Sequence, residues 1–104
     1  MKLDSDLRDK MKSAITLEKL LHIVANTLSL DPDSVRRPSK SRFPATARGI
    51  ICQLAIFELG YTGKEIGTFL HLKASGVSLA SRRGEKALKA DSELMKSILF
   101  EIAK

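Results

Sequence analysis

A single cysteine, Cys52, stands in 104 residues, so no disulfide can form within the chain. No apolar run approaches the roughly 20 residues that a bilayer-spanning helix needs. The opening Met1-Lys2-Leu3-Asp4-Ser5-Asp6 lacks the apolar stretch of a signal peptide. Together these absences lead us to expect a reduced, cytoplasmic protein that does not enter a membrane. Alternating apolar and polar runs bounded by turn residues are nearly missing, which argues against strands. There are no internal repeats and no low-complexity tracts.

Chemistry-bearing groups are scarce as well. His22 and His71 have no cysteine, histidine or carboxylate cluster at ligand spacing, so no metal site is expected. Cys52 sits among Ile50, Ile51 and Leu54, the setting of a buried inert thiol rather than a nucleophile. Tyr61 lacks the histidine pair of metal-assisted strand cleavage and reads as a packing residue at a helix junction. No Gly-Lys-Ser/Thr phosphate loop occurs. The aromatic residues Phe43, Phe57, Tyr61, Phe69 and Phe100 fall mostly on apolar stripes, which gives little support to a base-stacking platform. Neither a catalytic site nor a cofactor is expected.

What the chain does have is helical periodicity and unevenly placed positive charge. Apolar residues make up 43% and charged residues 29%, interleaved, as in a globular domain with a modest core. The net charge is +6, and the excess is confined to two segments. Residues 36–48 hold five basic residues and no acid, and residues 61–89 hold six basic and two acidic. Such a field suits a polyanion, since each neutralised phosphate releases counterions.

The spacing predicts one domain, all-α, a multi-helix bundle over residues 1–104. Residues 4–13 could begin it with a short charged helix. Thr16 caps a helix with Leu17, Leu20, Leu21, Val24 and Leu28 on one stripe. Asp31-Pro32 opens a short helix to about Val35. Arg36-Arg37-Pro38-Ser39-Lys40-Ser41-Arg42 forms a basic loop. Pro44 suits the first turn of a long helix whose apolar face includes Ala47, Ile50, Ile51, Leu54, Ala55 and Phe57, ending at Gly60. Thr62-Gly63-Lys64-Glu65 is a capping box in which Glu65 serves as cap partner. It opens a short helix with Ile66, Phe69 and Leu70 inward, followed by a tight connector at residues 72–74. Ser75 is then expected to cap a helix to about Lys89, and Asp91 a last one carrying Leu94, Ile98, Leu99 and Ile102.

Residues 62–89 thus have helix-turn-helix form. On the second helix Val77, Ala80, Gly84, Ala87 and Leu88 recur at inward spacing, and Gly84 is small enough for another helix to come close. Ser75, Ser78, Arg82, Lys86 and Lys89 fall on the other side, with Arg83 at the edge. Hydroxyls at the leading end can meet base edges, and the later cations can grip phosphate or guanine.

The stretch Ser39-Lys40-Ser41-Arg42-Phe43-Pro44-Ala45-Thr46-Ala47-Arg48-Gly49-Ile50-Ile51, followed by Ile66-Gly67-Thr68-Phe69-Leu70, resembles the C-terminal DNA-binding domain of the bacterial replication initiator DnaA family, a TrpR-like helical fold. The likeness covers about residues 16–89. It implies that Arg42 occupies the basic-loop position that approaches the minor groove. It also implies that Arg48 sits at the start of the long helix near the DNA backbone. Lys73 stands where the family usually has arginine. The family's recognition helix opens with an Asp-His-Thr-Thr-like signature, whereas this chain has Ala74-Ser75-Gly76-Val77, and an ATPase module like the family's is not expected. The usual initiator box is therefore not the expected target. The run from Ser75 to Glu85, with Gly76, Ser78, Arg82 and Arg83, is similar to the diverged form found in REP-associated tyrosine transposases.

The expected function is binding of double-stranded DNA, in the nucleoid, without catalysis. The expected contacts are Arg37, Lys40 and Arg42 from the basic loop, Arg48, Lys73, and Ser75, Gly76, Ser78, Arg82, Arg83 and Lys86 from the second helix. A transposase or another protein is a further partner that the resemblance implies. The rival reading is a protein-interaction module whose basic face docks an acidic partner.

Overall fold

Side-chain caps set where the first helices begin. The computed structural model describes residues 15–36 and 42–103, with the backbone alone at 42 and 103. The predicted helix at 4–13 lies outside them. Thr16 Oγ1 accepts from the Lys19 backbone N–H at 3.1 Å and starts α1, Leu17–Thr27. Asp31 Oδ1 accepts from the Asp33 N–H at 3.1 Å and starts α2, Pro32–Arg36, with proline in the first turn as expected. The long helix α3, Arg42–Phe57, starts two residues before Pro44. Past it, Tyr61 donates its hydroxyl to the Ile15 carbonyl at 2.8 Å, tying the α3–α4 junction to the entry of α1.

The capping box is present at α4, Gly63–Leu70. Thr62 Oγ1 accepts from the Glu65 N–H at 3.1 Å, and the Thr62 N–H donates back to Glu65 Oε1 at 3.3 Å. His71 closes α4 in the left-handed region, at φ 59°. After three turn residues, 71–73, the chain enters α5, Ala74–Ala90. Asp91 Oδ1 accepts from the Leu94 N–H at 3.1 Å and caps α6, Ser92–Ala103. Every regular element among the described residues is helical.

The core forms around α3. Ile50, Ile51, Leu54 and Ala55 are buried there, against Leu20, Leu21 and Val24 of α1 and Ile66 and Leu70 of α4. One position departs from the predicted faces: Phe57, predicted on the apolar face of α3, is 56% exposed. Phe69 packs half-buried against the core. The α3–α5 pair has the most extensive packing in the molecule, and two glycines allow it. A Cβ on Gly49 would stand 2.5 Å from the Ala80 carbonyl oxygen, and one on Gly84 would land on the Gly49 carbonyl. The backbones meet where neither helix carries a side chain, as the small residue at 84 suggested. Ser81 donates to Gln53 Oε1 at 2.8 Å across the same seam. The radius of gyration, 12.5 Å, is near the about 13 Å of a compact domain of 100 residues. No helix among the described residues is long and apolar enough to cross a membrane.

Candidate nucleic-acid interface

The bend of the α4–turn–α5 unit is closed by a backbone hydrogen bond. The Leu72 N–H donates to the Gly67 carbonyl at 2.8 Å, and the turn folds back so closely that a Cβ on Gly67 would stand 2.6 Å from the Leu72 carbonyl oxygen. Arg36 fixes the same end of α4 from outside. Its Nε donates to the Phe69 carbonyl at 3.0 Å and its guanidinium lies 4.4 Å from the Phe69 ring centroid. A cation here satisfies a helix-terminal carbonyl and complements the C-terminal dipole. Arg36 was read only as part of the basic loop. Its arginine-aromatic pairing spans 33 residues, and no local spacing signals it.

The start of α5 differs from expectation in one respect. Its N-cap is Lys73 rather than Ser75, and no side chain caps it. Position 73 has the extended backbone of an N-cap, which puts Ser75 in the first turn. The first helical N–H groups, at Ala74, Ser75 and Gly76, precede the earliest intrahelical bond, which runs from Val77 to the Lys73 carbonyl at 3.0 Å. The first turn also holds no acidic residue. It is an uncapped helix start with its positive dipole end towards solvent.

Along α5, Val77, Gly84 and Leu88 are buried while Ser75, Ser78, Arg82, Arg83 and Lys86 are exposed. Gly76 is half-buried against Leu72. Lys73 and the cations Arg82, Arg83 and Lys86 make no ion pair with another described residue. The one acid on the helix, Glu85, is taken by Lys89 at 2.9 Å, and that contact holds its carboxyl below the ordinary glutamate range. Leu79 is 57% exposed on the same side, between Ser78 and Arg83. Sequence reasoning passed over it as neither inward nor polar.

The other predicted contacts divide. Arg37 and Lys40 lie outside the described residues, and of Arg42 only the backbone is described, as the first residue of α3. Arg48 departs from its expected place near a DNA backbone. It is 7% exposed, and its Nη1 donates to the Val35 carbonyl at 3.2 Å, in the last turn of α2 where carbonyls lack helix partners. The physical reason is its phase: position 48 shares the buried stripe of Ala47, Ile51 and Cys52. Burial lowers its pKa, opposed by the attraction of Cys52. The same burial pushes the Cys52 thiol up to about 11, against the pull of Arg48.

Among the described residues no group of histidine, cysteine and acidic side chains is placed to hold a metal ion. No family model matches the chain, and comparison with curated proteins and with solved structures finds no match.

Proposed function

We propose that the chain binds double-stranded DNA, with the leading half of α5 in the major groove. The observation that carries this reading is the graded exposed side of α5. Small hydroxyl residues lead, cations follow, and no acid on the helix neutralises those cations. Ser75 and Ser78 can exchange hydrogen bonds with base edges, and Leu79 suits a thymine methyl. Lys73, Arg82, Arg83 and Lys86 meet phosphates or guanine edges, and the uncapped start of α5 offers N–H groups to a phosphate. Arg37, Lys40 and Arg42 reach the adjacent backbone or minor groove from the preceding segment.

The order of a basic segment, a long helix and a helix–turn–helix pair supports an arrangement resembling the DnaA C-terminal domain, in the form associated with REP-associated tyrosine transposases. Arg48 has no DNA contact in this reading, and no catalytic step is assigned.

The test is a titration of labelled duplex across a series of salt concentrations. Log affinity should fall linearly with log salt, and Arg82→Ala and Arg42→Ala should each reduce the slope by about 0.9 for a lost phosphate contact. Unchanged slope and affinity in both variants would remove this map. Absence of duplex binding by the unaltered chain would favour a protein partner for the basic face.

A further inference from the structure

Away from the leading end of α5, the surface opens into a hollow of about 440 Å³ between the C-terminal parts of α3 and α5 and the helix α6. Its floor is apolar, with Leu54 and Leu88 beneath and Met95 and Leu99 at the side. Phe57, 56% exposed, forms one edge. The rim carries Glu58, Glu85, Lys89 and Lys96.

We propose that two copies of this chain associate through this face, the Phe57 ring of each entering the hollow of the other. Charge directs self-association to this face, and its rim is complementary to itself. The chain carries +6, so two copies approaching through their basic surfaces repel each other. The hollow's rim holds two acids and two lysines, a balanced set that can meet its own image, as a two-fold interface requires. Glu58 makes no ion pair with another described residue. Lys96 meets Glu93 only at 3.6 Å, with both side chains largely in solvent, a pair of small worth. Glu58 in one copy can therefore take Lys96 in the other with little lost. The knob and the hole also belong to the same face, which lets one rotation fill both.

The proposal goes beyond DNA binding and does not depend on it. Ser78 and Leu88 are ten residues apart on α5, about 15 Å along its axis, so this interface leaves the leading end of the helix uncovered.

Sedimentation equilibrium of the full chain without DNA, from about 10 μM to about 1 mM, tests it. The unaltered chain should pass from monomer towards dimer. Phe57→Ser should weaken association at least about tenfold, the loss of a buried aromatic anchor. Lys96→Glu should weaken it too, and Glu58→Lys added to Lys96→Glu should restore it. Phe57 and Lys96 are exposed and Glu58 is half-buried, and thermal melts would establish that the variants fold. A chain monomeric throughout the range overturns the proposal. So does a dimer indifferent to both Phe57→Ser and Lys96→Glu, which would use another face. An apolar fluorescent probe bound by a monomeric chain and lost in Phe57→Ser would assign the hollow to a small ligand instead.

Discussion

Arg48 brings a charge into the interior one turn before Cys52, and both residues have consequences that can be measured. Removing the guanidinium leaves the Val35 carbonyl without its donor in a buried place. Arg48→Ala should lower unfolding free energy by about 1.5–3 kcal/mol, the range for a hydrogen bond to a charged group. Urea unfolding would read this, while the salt slope of duplex binding by the folded variant stays unchanged. That pairing separates Arg48 from Arg82, whose loss should do the opposite.

Cys52 gives a pH dependence with a definite sign. Its folded thiol titrates at about 11, above the about 8.5 of an unfolded cysteine. Between those values the unfolded chain gives up the proton and the folded chain keeps it. Its contribution to stability is therefore complete below about pH 8.5 and is lost as pH rises towards about 11. Comparing urea midpoints of the unaltered chain and Cys52→Ala across that window should show the steeper fall in the unaltered chain. Equal slopes would contradict the shift. The burial of Cys52 was legible from its apolar neighbours. That of Arg48 was not, because a charged residue on a buried stripe is recognised only once its partner, thirteen residues earlier, is in place.

At the scale of the elements, the helices were the most legible part. The caps at Thr16, Asp31, Thr62 and Asp91 act through hydrogen bonds two or three residues away, so sequence spacing contains all the information they need. Ser75 misled because a serine near a helix start can be a cap or a first-turn residue, and the turn geometry at 71–73 decides which. Phe57 misled because the apolar period of α3 continues past the point where the core ends. The close approach of α3 and α5 was visible in Gly84 alone. Its partner, Gly49, emerges only when the helices are assembled. Gly84→Ala would drive a methyl into the Gly49 carbonyl, and backbone cannot yield as a side chain can. We expect a loss of about 3 kcal/mol or more by thermal or urea unfolding, at the upper end of overpacking effects. A loss under about 0.5 kcal/mol, the size of an ordinary surface substitution, would mean that the helices do not meet there.

For the whole molecule, the separation of surfaces follows from one helix. The inward side of α5 joins the core through Val77, Gly84 and Leu88, its leading outward side carries Ser75, Ser78 and Arg82, and its far end lines the hollow beside Phe57. The exposed cations of α5 were legible from charge placement, which needs no tertiary structure, whereas two arginines of the segment 36–48, Arg36 and Arg48, turn to protein carbonyls. The hollow was not, since α3, α5 and α6 contribute to it from residues 53 to 99 and no local pattern joins them.

The most direct test of DNA binding through α5 is amide chemical-shift mapping on isotope-labelled protein as a random-sequence duplex is added at near-physiological salt. The largest changes should fall on Lys73 to Lys86, with smaller ones at Arg42 and its neighbours and none around the hollow at Phe57 and Met95. Absence of changes at saturating duplex, or changes centred elsewhere than α5, would contradict the proposed function.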